Sequence, residues 1–221
     1  MKRKLVKTED GAHSFYIEEL DENYHSVYGA IQESKIVFIN GGLNYFKNNH
    51  TLNILEIGFG TGLNALMTIL HHPKYQEVNY YGVEYYPITS VEARKLNYTE
   101  QLNQDVLQTN FMRMHNCNWG NPTPIAPNFI LTKILSKIEH YQPKANFFDI
   151  IYFDAFAPSA QPQLWTSEVF EKLYKSLKKG GILITYCAKG AVKRALKGVG
   201  FKIEPLPGPK NKREITRAIK D

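Results

Sequence analysis

The sequence predicts a doubly wound α/β fold with a mostly parallel sheet, on three observations. Leu52 to Leu70 runs as a short apolar stretch, then glycine at every second position (Gly58, Gly60, Gly62), then helical spacing; this reads as strand, tight turn and helix. Strand-like and helix-like segments alternate through the rest of the chain, which implies right-handed crossovers between parallel neighbours. Phe147 to Phe153 is apolar except for Asp149, the pattern of a mid-sheet strand buried on both faces.

Taken in order, residues 1–50 read as a small extension capping the ligand pocket, and 51–221 as the main domain. In the extension, Asp10-Gly11 and Gly41-Gly42 are turn signals, and Ser14–Ile17 and Lys35–Ile39 read as short strands. Between them Tyr24, His25 and Glu33 are candidate ligand contacts, or part of a polar cap over the sheet. His25 has no second ligand at metal-binding spacing, so no metal site is expected. After the glycine turn and its helix, Asn79–Glu84 reads as a second strand, and Pro87 opens a helix to about Gln104. Residues 105–127 show no clear period and read either as a functional insertion or as a surface loop. Asn128–Ile134 is the third strand, with a short amphipathic helix to about Tyr141. Phe147–Asp154 is the fourth strand, and Ser167 caps a helix running to Lys178. Gly180-Gly181 stops that helix, and 181–187 is the fifth strand. A short helix spans about Ala191 to Lys197. Two last strands, 201–206 and 213–219, flank Pro207-Gly208-Pro209, a turn short enough for an antiparallel pair.

The glycine turn indicates a ligand, because glycines let a backbone approach closely and a helix N-terminus offers free N–H groups. A dinucleotide fingerprint would need glycine where Leu63 stands. Glu56-x-Gly58-x-Gly60-x-Gly62 instead resembles the first motif of class I S-adenosylmethionine-dependent methyltransferases. That resemblance implies S-adenosylmethionine as cofactor, with its methionine end cradled by Glu56, Gly58, Phe59, Gly60, Thr61 and Gly62. Glu84 lies 22 residues beyond Gly62, where an acid at a strand end accepts hydrogen bonds from ribose hydroxyls; the plain alternative is an exposed strand-end glutamate. Gly58, Glu84 and Asp154 all fall at carboxyl ends of strands, where such sheets bind ligands. Asp154 suits an amine acceptor, mostly protonated at pH 7, which it would position and help deprotonate; the other reading is an aspartate that caps the next helix or only touches the cofactor. Positioning outweighs basicity, because an aspartate of ordinary pKa, about 4, is a poor base.

A more specific resemblance rests on Asp154-Ala-Phe-Ala-Pro158, Leu164-Trp165-Thr166, Thr185 to Arg194, Lys212-Arg213-Glu214, Asp21 to Ser26 and Glu33 to Phe38. Together these are similar to the methyltransferase module of the MnmC/MnmD family, over about residues 10–219. The resemblance implies a seven-stranded Rossmann-like methyltransferase sheet, mostly parallel with an antiparallel C-terminal hairpin. It implies methylation of the 5-aminomethyl group of wobble (2-thio)uridine in tRNA, with Asp154 catalytic and Glu33 among the cofactor-binding residues. Bifunctional members carry a flavin-dependent oxidase domain, for which this chain is too short, so a stand-alone methyltransferase is expected. Thr132-Lys133 stands where some members have an acid near the adenine.

Composition adds bounds. With 221 residues and two cysteines, Cys117 and Cys187, the chain has no disulfide framework, and no run suits a signal peptide or membrane span. A cytoplasmic protein is expected. The net charge is +6, and residues 189–221 alone hold ten Lys and Arg against three Asp and Glu. Lys189, Lys193, Arg194, Lys212 and Arg213, with Lys210, are candidate tRNA phosphate contacts, or a solvated basic face. Phe156 and Trp165 are candidates to stack on a flipped base, or core residues. Two rivals remain: a polyamine aminopropyltransferase, against which the basic C-terminus argues, and an inactive RNA-binding protein on the same fold.

Overall fold

The computed structural model describes residues 2–221. Three short strands, β1 (Arg3–Lys7), β2 (His13–Ile17) and β3 (Glu22–Asn23), form a small antiparallel sheet. α1 (Ala30–Ser34) follows and continues as a π-helical turn over Lys35–Asn40. The expected strand at 35–39 is therefore a helix. Ala30, Glu33, Ser34, Val37, Phe38 and Ile39 are its buried positions, a helical stripe that two polar members concealed.

The main domain runs β4 (Thr51–Ile57), α2 (Leu63–His71), β5 (Glu77–Glu84), α3 (Ser90–Ala93), α4 (Tyr98–Gln101), α5 (Gln108–Asn116), β6 (Thr123–Ala126) and β7 (Phe129–Leu135). It continues with β8 (Phe148–Phe153), α6 (Ser167–Ser176), β9 (Leu177–Thr185), α7 (Gly190–Gly198), β10 (Lys202–Pro207) and β11 (Glu214–Ile219). The sheet order is β10-β11-β9-β8-β4-β5-β7-β6. The β4, β5, β7, β8 and β9 pairings are parallel, and β11 is antiparallel to both β9 and β10.

Four expectations change. The sheet has eight strands, because β6 adds an antiparallel edge beside β7. Residues 105–127 thus hold α5 and β6, with Phe111, Met114 and Ile125 buried. The helix expected from Pro87 to Gln104 is two short ones. Thr89 and Glu92 form a capping box that starts α3 after Pro87, and Asn97 leaves the helical path to bond the β1–β2 turn, accepting from His13 N (2.7 Å) and donating to Gly11 O (3.1 Å). The segment after β7 makes only turns around Lys137 to Tyr141. Finally, α6 ends at Ser176 and β9 begins at Leu177, with Gly180 (φ +75°) inside the strand, where pairing with β8 shifts register.

Alternation along the central strands builds two cores. Ile54, Ile150 and Tyr152 pack with α2 and α5 on one face, while Leu55, Ile151 and Phe153 pack with α6 and α7 on the other. Lys178 (2.8 Å) and the Asn53 N–H (2.8 Å) hold the Asp149 side chain inside this frame. No helix among the described residues is long and apolar enough to cross a membrane.

Candidate active site

A cavity of about 420 Å³ opens at the carboxyl ends of β4, β5, β7 and β8, and residues 22–27 of the N-terminal segment form part of its wall. The glycine turn is fixed from below: Gly58 N and Phe59 N donate to Val83 O (3.0 and 3.1 Å). Gly58 has φ +87°, and a Cβ there would stand 2.6 Å from the Asp154 carbonyl oxygen, so only glycine fits between β4 and β8. Gly60 is faced by the Tyr24 ring, 3.1 Å from where a Cβ would stand.

Gly58, Phe59, Gly60, Thr61, Glu84, Glu33, Tyr24, His25, Phe156 and Asp154 all line the cavity. Glu84 Oε2 accepts from Gly60 N (3.0 Å), and its Oε1 accepts from Tyr85 N and Tyr86 N (2.8 and 2.7 Å). Its carboxylate is thus aimed along the glycine turn. Tyr24 is held over the site by Arg3, whose Nε donates to its hydroxyl (2.9 Å); burial first, then the Glu84 charge, push that phenol up to about 12. His25 bridges Ser14 Oγ (2.8 Å) and Thr61 Oγ1 (3.3 Å), and burial pulls its pKa down to about 4, which leaves it a neutral brace.

Two expected cofactor contacts lie elsewhere. Glu56 is fully buried and does not reach the cavity; its carboxylate accepts from Asn64 Nδ2 (2.8 Å) and Tyr80 OH (2.9 Å). Burial holds it well above the usual carboxylate range, against those two hydrogen bonds. Gly62 also lies off the cavity wall, where it caps α2 at φ +75° beside His115.

Asp154 follows β8, and its Oδ2 accepts from the same Asn64 Nδ2 at 2.8 Å. Burial first, then the charge of Glu33, raise its pKa to about 7, while Asn64 and Lys212 hold it back. The expectation of an ordinary aspartate is thereby corrected: near neutrality this carboxyl can take or release a proton. Lys212 enters the cavity from the β10–β11 turn, where its Nζ donates to Glu33 Oε1 and lies 4.3 Å from the Tyr186 ring centroid. Glu33 Oε2 accepts from Ser26 N (3.0 Å), and Tyr186 OH donates to Ala155 O (2.8 Å).

Of the basic candidates, Lys189, Arg194 and Arg213 are exposed. Lys193 is tied to Glu214 (2.5 Å), Lys210 to Glu9 (2.6 Å) and Lys212 to Glu33, so these three are committed within the protein. Phe156 faces the cavity; Trp165 is core, its Nε1 donating to Phe156 O (2.8 Å). Thr132 and Lys133 lie inside β7, with Lys133 buried and donating to His115 O (2.9 Å). The cavity wall after β7 is instead Ser136, Lys137, Ile138 and Glu139. Sequence reasoning missed Asn64 and Tyr186. An amide inside the apolar run Leu63 to Leu66 is a signal for the first; Tyr186 directly after β9 carries none on its own.

A family model described as S-adenosyl-L-methionine-dependent methyltransferase matches residues 97–221. The tRNA 5-methylaminomethyl-2-thiouridine biosynthesis bifunctional protein MnmC of Leptospira interrogans is 30% identical over 212 residues, covering 90% of this chain and 32% of its own length. The chain thus spans about a third of the length of the curated relatives it matches. Among solved structures, MnmC2 from Aquifex aeolicus matches with a TM-score of 0.78 at 21% identity, over 98% of this chain and 69% of that one. Spermidine synthase from Thermotoga maritima matches with a TM-score of 0.54 at 15% identity, over 99% of this chain and 72% of that one. Both structures share the fold.

Proposed function

Because the chain belongs to the S-adenosyl-L-methionine-dependent methyltransferase family, we propose that it methylates the 5-aminomethyl group of wobble (2-thio)uridine in tRNA, giving 5-methylaminomethyl-(2-thio)uridine. The observation that carries this reading is the acceptor end of the cavity: Asp154, raised to about 7, beside a buried Glu33 and an ammonium. Two carboxyl groups and aromatic rings suit a cationic amine. The similarity to MnmC supplies the particular base.

The residues fit the cofactor. Gly58 and Gly60 bring bare backbone to the cavity wall, and Glu84 has acceptor capacity beyond its three backbone N–H partners. Phe59, Thr61 and the glycine backbone would hold the methionine end, Glu84 the ribose, and Ser136 and Ile138 the base. When bound, S-adenosylmethionine supplies a methyl group on a sulfonium that leaves as a neutral thioether. Asp154 then has two tasks. It holds the acceptor amine in line, and it takes one proton from the ammonium so that the nitrogen lone pair is available. Asn64 keeps Oδ2 oriented, and Phe156, Tyr24 and Tyr186 line the acceptor end with aromatic surface.

Lys189, Arg194 and Arg213 are the phosphate contacts we assign, and residues 1–50 the cap through which tRNA would reach the cavity. An aminomethyl uridine made by another active site would supply the substrate, in the cytoplasm. The aminopropyltransferase reading is disfavoured by the basic C-terminal segment, residues 189–221, since polyamines are themselves cationic. Labelled methyl transfer to tRNA from cells lacking the wobble methylation tests the reading. Label in tRNA supports it; label absent from tRNA, with aminopropyl transfer to a polyamine, overturns it.

A further inference from the structure

The acceptor end of the cavity already holds an ammonium. Lys212 sits on the β10–β11 turn, one residue after Asn211, whose φ of +65° bends the chain. From there Nζ donates to Glu33 Oε1 and rests over the Tyr186 ring at 4.3 Å. Glu33 is buried, with its side chain 11% exposed, and Ser26 N pins its other oxygen at 3.0 Å. Tyr186 is fixed by its bond to Ala155 O (2.8 Å). Asp154 feels Glu33 and Lys212 with opposite signs, so the three charges share one space. All four residues line the cavity.

We propose that this carboxylate and aromatic cage is the binding site of the acceptor ammonium, that Glu33 is its specificity-determining residue, and that Lys212 is a resident stand-in which the acceptor displaces. A buried carboxylate needs a cation, and only a cationic acceptor can replace Lys212 without leaving Glu33 unpaired. An unmodified uridine offers no such charge and leaves the Glu33–Lys212 pair closed. Once displaced, Lys212 swings out beside exposed Arg213, where a phosphate can receive it. Glu33 thereby moves from the cofactor side, where the family resemblance put it, to the acceptor side. Naming the acceptor as an aminomethyl uridine rests on the function proposed above.

The test compares wild type, Glu33→Gln, Glu33→Asp and Lys212→Met for affinity to S-adenosylmethionine, to tRNA carrying 5-aminomethyluridine at the wobble position, and to the same tRNA with plain uridine. Glu33→Gln is expected to weaken aminomethyl tRNA more than about tenfold, while plain tRNA and cofactor change less than about twofold, with partial recovery in Glu33→Asp. Lys212→Met removes the competitor and should widen the preference for aminomethyl tRNA by about threefold or more. A Glu33→Gln loss that falls on the cofactor, or equally on both tRNAs, overturns the cage. An unchanged preference in Lys212→Met overturns the stand-in. These ratios are read without turnover, so a wild type that binds with this preference yet transfers no methyl group overturns the proposed reaction and not the cage.

Discussion

Asn64 Nδ2 stands 2.8 Å from Asp154 Oδ2 and 2.8 Å from Glu56 Oε1, so one side-chain amide ties a cavity carboxyl to a fully buried one. Ser34 Oγ fixes the amide from the other side by donating to Asn64 Oδ1 (2.6 Å). The acidic residue of the glycine motif therefore acts through Asn64 on Asp154. Replacing Asn64 by Leu strips both carboxyls of a donor. Stability in urea should fall by about 1–3 kcal/mol, and the Asp154 pKa should rise, since the Asn64 bond is one of the two influences lowering it. The pH–rate profile for methyl transfer would move to higher pH in this variant.

In the wild type, kcat/KM for aminomethyl tRNA should climb with pH through a limb near 7, as Asp154 loses its proton. Glu33→Gln removes the charge that helps raise that pKa and also frees Lys212, so the limb should move to lower pH. A profile flat from pH 6 to 8 would deny Asp154 the role of base.

Asp154 also bears on stability. Its pKa is about 7 when folded against an ordinary 3.8, so between those values the unfolded chain has released a proton that the folded one keeps. Stability falls as pH rises across that window. Asp154→Asn lacks this penalty and should be more stable than wild type at pH 8 by roughly 2 kcal/mol, less than the full conversion because the cavity is open to water. The gap should close towards pH 4. Thermal melts of both proteins at the two pH values check this.

Gly58→Ala places a Cβ 2.6 Å from the Asp154 carbonyl oxygen at a backbone φ of +87°. The strain should cost about 1–3 kcal/mol and displace the turn. Cofactor affinity by calorimetry should drop tenfold or more, on the order expected for lost backbone contacts.

For the RNA face, Lys189, Arg194 and Arg213 changed together to Ala should lower the slope of log Kd against log salt for tRNA by up to about three, one per phosphate contact. Lys193→Ala should leave that slope unchanged, because Glu214 already holds Lys193. Cofactor affinity stays constant in both.

The parts legible beforehand were those where one local pattern suffices. The glycine turn, the β8 run ending at Asp154 and the C-terminal hairpin each follow from periodicity and turn residues. The π-helical turn at Lys35–Asn40 was misread because five consecutive residues, Lys35 to Ile39, fit either period, and the stripe that decides it includes Glu33 and Ser34. The α5 and β6 elements escaped because their apolar content is slight, and β6 pairs only with the neighbouring β7. At the site, Glu84 and Asp154 could be placed at strand ends from spacing. The raised Asp154 pKa could not, since it depends on Glu33, Asn64 and Lys212, which lie 121, 90 and 58 positions away in the chain. Charge counting likewise put Lys212 among surface contacts, whereas its partner Glu33 draws it into the cavity.

In the proposed reaction Asp154 drives methyl transfer to a wobble aminomethyl group. The most direct test is nucleoside mass spectrometry on tRNA carrying 5-aminomethyl-2-thiouridine, incubated with S-adenosylmethionine and either wild type or Asp154→Asn. The expected result is 5-methylaminomethyl-2-thiouridine as the labelled nucleoside with wild type, and a rate at least about a hundredfold lower in a variant that still binds cofactor. Methyl groups on any other nucleoside, or full activity in Asp154→Asn, would contradict it.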